Sequence, residues 1–144
     1  MQSKLVAQSP FGRSYVLVFD LGDDVPAQLQ EFLAAERVGA AKFYGIGGFA
    51  RTTLAYYDME QKRYLPIEVD EQVEVLSFIG NVAMYQEKPR IHAHCVVGHR
   101  DGHTTGGHLL AGIVRPTLEL MIDEIGMGLE RTDRPEIGIP LLAL

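Results

Sequence analysis

A chain of 144 residues, 47% hydrophobic and 22% charged, is long enough for one domain with a real core and ordinary in composition. Its formal net charge is −6, and its thirteen Lys and Arg residues are scattered, with no run longer than Lys62-Arg63. That balance speaks against direct DNA binding, which calls for a basic footprint.

The single cysteine excludes an internal disulfide, so nothing points to an oxidising compartment. The first sixteen residues lack the apolar centre of a signal peptide, and no apolar run approaches membrane-spanning length. A cytoplasmic setting with no membrane contact is the expectation.

In chain order, residues 14–20 (SYVLVFD) form a near-continuous apolar strand. Asp23-Asp24 then offers a helix cap with Pro26 in the first turn. Val25, Leu29, Phe32 and Leu33 make one apolar stripe, Gln28, Gln30, Glu31 and Glu36 face water, and Gly39 ends the helix. Residues 40–46 return to strand and run into Gly45-Ile46-Gly47-Gly48. The spacing is wrong for a dinucleotide fingerprint, so a tight turn or bulge is expected, or a close approach to a ligand or a second subunit.

Residues 52–58, 63–69 and 72–80 read as three strands, with 59–62 and Asp70-Glu71 as hairpin loops. Residues 81–89 read as a polar loop. Glu68, Asp70, Glu71 and Glu74 form an acidic run, in which one carboxylate could complete a metal site. A long strand over about 115–125 carries Glu119, which needs a partner if it points inward. The tail has a turn at 133–136 and an apolar end that should be buried against its own sheet or another subunit.

The segment Ile91–Val114 holds all five histidines and the only cysteine. Residues 90–97 alternate as a strand, Arg100-Asp101-Gly102 is turn chemistry, and 104–110 is the returning strand. His92 and His94, two apart, share a face. A two-residue loop would put His108 opposite Cys95, on the wrong face. A three-residue loop with a left-handed Gly102 puts it across from His94, roughly 5 Å away between Cβ atoms, with His99 and His103 paired on the other face. The three-residue loop is the reading adopted. Three neutral imidazoles at one point suit zinc or another divalent transition metal with an open coordination position. Histidines on strands also serve as hydrogen-bonded core or interface residues, and that reading stands beside the metal. Gly106-Gly107 before His108 allows close backbone approach, to a ligand pocket or a subunit contact alike.

Several stretches together resemble the plants-and-prokaryotes-conserved (PPC) domain family: Gly12-Arg13-Ser14-Tyr15, Gly45-Ile46-Gly47-Gly48-Phe49, the stretch Glu74–Asn81, His92-Ala93-His94, Asp101-Gly102, Gly106-Gly107-His108 through Gly112, and Leu129–Asp133. The resemblance covers nearly the whole chain. The residues give one early helix and seven or eight strands whose short links favour antiparallel pairing, hence α+β. The resemblance implies the same class as a single domain over 1–144, a mainly antiparallel sheet of about seven strands flanked by one or two helices, assembling as a homotrimer. It also implies metal-holding histidines, which fall on His92, His94 and His108. Bacterial relatives often carry a DNA-binding label taken from plant members with an AT-hook. Here Arg51, Arg63, Arg100 and Arg115 lack the Gly-Arg-Pro context of that hook, so the label does not transfer.

The functional expectation is a trimeric metal protein, with a small-molecule ligand at the metal among its prospective partners. The alternatives are a DNA-associated regulatory or interaction module acting through partners with no metal, and a structural trimer in which the histidines line a subunit contact. No complete catalytic constellation is identifiable; Glu74, Glu119 and Arg13 are the accessory candidates for acid, base or substrate clamp.

Overall fold

A computed structural model describes residues 1–144. It shows a single-domain α+β protein with one helix and nine strands rather than seven. β1 (Gln2–Ser9) and β2 (Gly12–Phe19) form a hairpin, and α1 (Val25–Ala35) follows. β3 (Ala41–Asp58), β4 (Arg63–Val69), β5 (Val73–Tyr85), β6 (Lys88–Gly98) and β7 (Thr104–Glu124) build the body; β8 (Glu130–Thr132) and β9 (Leu141–Ala143) end the chain. Every pairing is antiparallel except β5 with β8, which makes the sheet mixed.

The sheet closes on itself. β3 lies between β5 and β7 along 41–49, β5 pairs with β6, and the start of β7 pairs with both β6 and the far end of β3. Inside this ring Phe49, Phe78, Leu54, Val75, Cys95, Val97 and Val114 are buried. Phe78 meets Phe43 edge-on, with ring centroids 5.3 Å apart. Burial pushes the Cys95 thiol up to about 12, so it stays protonated and inert.

α1 buries the expected stripe of Val25, Leu29, Phe32 and Leu33, and Asp24 caps it by accepting from the Ala27 amide. Its end differs from expectation. Gly39 comes too late: the Val38 amide donates to Leu33 and the Arg37 amide to Ala34, with Arg37 at φ 57° taking the left-handed position usually given to glycine. Gln28 and Gln30 are half-buried, not solvated, because Gln28 donates to Asp23 and Gln30 to the Pro89 carbonyl.

The glycines of 45–48 do form bulges, but within one unbroken 18-residue strand. A Cβ on Gly45, Gly47 or Gly48 would lie 2.2–2.5 Å from a β7 carbonyl oxygen, so the close approach is to the protein's own sheet. Asp70-Glu71 is a link rather than a hairpin loop: β4 and β5 never pair, and lie end to end along the same edge of β3. Residues 81–85 continue β5, and Gln86 and Glu87, both at positive φ, form a two-residue turn into β6. β7 is a single 21-residue strand from Thr104, not two. β1 was not foreseen; all eight of its residues are exposed at a sheet edge. The tail turns over 134–138. Its end is not buried within this chain, since Leu142 and Leu144 remain exposed.

Candidate metal centre

The β6–β7 hairpin decides the site. The His99 amide donates to the His103 carbonyl and the Gly102 amide to the His99 carbonyl, leaving Arg100-Asp101-Gly102 as a three-residue loop with Gly102 at φ 89°. The register that follows places His94 directly opposite His108. Ring centroids of His92, His94 and His108 are 5.2–5.5 Å apart pairwise. One ligand nitrogen from each lies within 4.8 Å of the others, so the three can bind a metal ion.

The donors suit such an ion. His92 Nε2 and His94 Nε2 are 3.2 Å apart, against about 3.3 Å between two nitrogens bound tetrahedrally to zinc at about 2.05 Å. His108 Nδ1 is buried with no hydrogen-bond partner. Burial, followed by the charges of His92, His94 and Arg90, pulls His108 down to about 4. Burial and the nearby Arg131 guanidinium lower His92 as well. Both are therefore neutral at physiological pH, which is the form that binds a metal.

Around the histidines stand residues the sequence did not single out. Tyr64, on β4, stacks on His108 with centroids 4.5 Å apart. Asn81 pairs across the sheet with His92 and accepts from Arg131 Nη2 at 2.5 Å. Arg131 rides on β8, which lies beside β5 at Met84. The tail is strapped down by the Met84 amide donating to the Leu129 carbonyl, Tyr57 Oη to the Ile137 carbonyl and Lys62 Nζ to the Pro135 carbonyl. Ile139, Pro140 and Leu141 thereby wall a cleft of about 70 Å³ shared with Tyr64, Arg90, His92, His108 and Arg131. The only signal for these partners was the Leu129–Asp133 match, which carried no role.

The accessory candidates lie outside the cluster. Glu74 is exposed and pairs with Gly98, four residues along β6 from His94. Glu119 points outward from β7 between Val18 and Ile46, so it needs no buried partner. Arg13 is held by Glu124, with Nε 2.6 Å from Oε2, and by the Glu36 carbonyl. Glu71 of the acidic run accepts from His99, not from the three-histidine group. His99 and His103 stack near the hairpin tip with centroids 3.8 Å apart. Cys95 faces the core as expected.

The Plants and Prokaryotes Conserved (PCC) domain model matches residues 6–126. The chain belongs to the PCC domain family. Solved PCC-like structures agree over most of the chain. A metal-containing protein from Archaeoglobus fulgidus is 34% identical, with TM-score 0.86 over 93% of this chain and 95% of its own. A plant- and prokaryote-conserved protein from Pyrococcus horikoshii is 30% identical, with TM-score 0.87 over 93% of each chain. A candidate DNA-binding protein from Ralstonia eutropha is 31% identical, with TM-score 0.83 over 90% of each. No curated protein matches the chain. Arg131 and the β8–β9 tail fall beyond the residues matched by the PCC model.

Proposed function

We propose that this PCC-domain chain is a homotrimeric protein that holds one divalent transition metal ion, zinc foremost, on His92, His94 and His108. The observation that carries the proposal is the convergence of three ligand nitrogens within 4.8 Å. A metal-containing relative at 34% identity supports it. Zinc held this way supplies a Lewis acid with a coordination position free for a small ligand. The chain's own residues prepare the site. Burial keeps His108 deprotonated, Tyr64 fixes its ring plane, and the strapped tail screens one side from water.

The trimer is supported by an apolar outer face of the sheet. Tyr44, Ile46, Leu76, Ile79, Val96 and Met121 are all more than a third exposed. Met121, Tyr44, Ile79 and His94 form one cross-strand row. A self-association surface of this kind buries what a monomer would leave in water. Residues 1–144 then act as one unit, the tail included, in a cytoplasmic setting; no helix is long and apolar enough to cross a membrane.

The name of the Ralstonia relative leans towards DNA. The net charge of −6 leans the other way, and direct DNA contact stays outside the proposal. Anisotropy with duplex DNA at low and moderate salt decides that point; tight, salt-sensitive binding would reinstate the DNA role.

Elemental analysis of protein purified without chelators should find about one zinc per chain, and His94→Ala should abolish it. Protein free of transition metal would remove the proposal. Light scattering should give the mass of a trimer.

A further inference from the structure

Arg131 is 8% exposed, yet no carboxylate touches it. The only hydrogen bond of its side chain within the chain goes to a neutral amide oxygen, that of Asn81, and its Nε is buried with no partner at all. A buried guanidinium is costly unless an anion answers it, so one left unpaired within the chain points to an anion from outside it. The surroundings deepen the deficit. Arg90 lines the same cleft and its charge acts on Arg131, and none of the nine residues lining that cleft is acidic. The cleft is thus electropositive at one end, with His92 and His108 beside it, and apolar along Ile91, Ile139, Pro140 and Leu141.

We propose that Arg131 anchors a binding site for a small organic carboxylate, seated in the cleft beside the three histidines. The planar guanidinium fork matches a carboxylate's two oxygens; Nε itself is closed off, and Nη1, which makes no hydrogen bond within the chain, is the donor left to a ligand alongside Nη2. The cleft is small, about 70 Å³, which suits a short chain, and its apolar wall favours a ligand with a hydrocarbon end over an inorganic oxyanion. Arg90, its guanidinium lying over the Tyr85 ring at 5.4 Å from the centroid, adds a second cation at the mouth. The proposal names a ligand class for the same cleft as the metal but rests on Arg131 alone, so it stands with or without an ion on the histidines.

Butyrate and inorganic phosphate are titrated calorimetrically into the intact oligomer, once after chelator treatment and once loaded with zinc. The expected result is butyrate binding in both forms and weaker phosphate binding. Arg131→Gln should weaken butyrate by about tenfold or more. Arg131→Lys keeps the charge and guards against a folding defect; it should also lose most of the affinity, because the fork is gone. Circular dichroism and light scattering confirm that both variants remain folded oligomers. Absence of butyrate binding to the wild type overturns the proposal, as it would if a carboxylate of a second subunit already answered Arg131. Equal affinity in folded Arg131 variants overturns it too, and a preference for phosphate overturns the carboxylate class. Butyrate binding that depends on Arg131 in a protein found to hold no zinc would uphold this site while removing the metal. Stoichiometric zinc without butyrate binding would do the reverse.

Discussion

Two adjacent glycines ahead of His108 should behave very differently when each is given a single methyl group. On Gly107 an ideal Cβ lies 2.7 Å from the Ala55 carbonyl oxygen, 3.1 Å from its nitrogen and 3.2 Å from its carbonyl carbon. All three are backbone atoms, so no side chain can rotate aside. Ordinary contact begins near 3.4 Å, so β7 must move about 0.7 Å from β3 at the residue next to His108. Overpacking of that kind costs about 1–3 kcal/mol, and the stiffer unfolded chain returns only about 0.5–1 kcal/mol. Gly107→Ala should therefore lose about 1–2 kcal/mol. The same displacement exceeds the roughly 0.2 Å tolerance of a metal–nitrogen bond, so zinc affinity should fall about tenfold or more. Gly106→Ala is the control: its Cβ would stand 3.4 Å from Val96 Cγ2, an ordinary contact with a movable side chain. Urea unfolding and zinc competition with a chromogenic chelator measure both quantities. If the two alanine variants matched each other in stability and in zinc affinity, the argument from strand spacing would fail.

Arg37→Gly should raise stability by about 1 kcal/mol, since Arg37 holds the left-handed position at the end of α1 and its side chain makes no hydrogen bond there; thermal unfolding tests it. Glu124→Gln should cost about 1 kcal/mol near neutral pH by weakening the two-pronged contact with Arg13. Arg13 holds the Glu124 carboxyl below its usual 4.5, so the folded state binds fewer protons than the unfolded one. The stabilisation is thus complete above 4.5 and fades as pH falls through the lowered value. Denaturation midpoints of wild type and variant should converge in acid, and a gap that persisted there would refute the ion-pair explanation.

What could be seen in the residues was whatever depended on neighbours in sequence. The α1 stripe, the Asp24 cap and the face shared by His92, His94 and His108 all follow from local periodicity and one turn. The hairpin entering β6 was invisible because Gln86-Glu87 takes positive φ without the Asn or Gly that usually marks such turns. The glycines of β3 suggested a break, yet they serve a close approach to β7 set by pairing more than sixty residues away. Tyr64, Asn81 and Arg131 reach the histidines only through tertiary packing, and no spacing rule connects them. Glu74 and Glu119 were chosen for their chemistry alone, and the strand registers send both elsewhere.

β7 pairs with β2, β3 and β6, three partners spread from the first twenty residues to its immediate predecessor. A ribosome must therefore release almost the entire polypeptide before the ring can shut, and until then β3 and β6 wait with one side unzipped. The arginine that roofs the cleft emerges later still. A ligand that depends on that arginine can therefore reach only a chain whose synthesis is already finished.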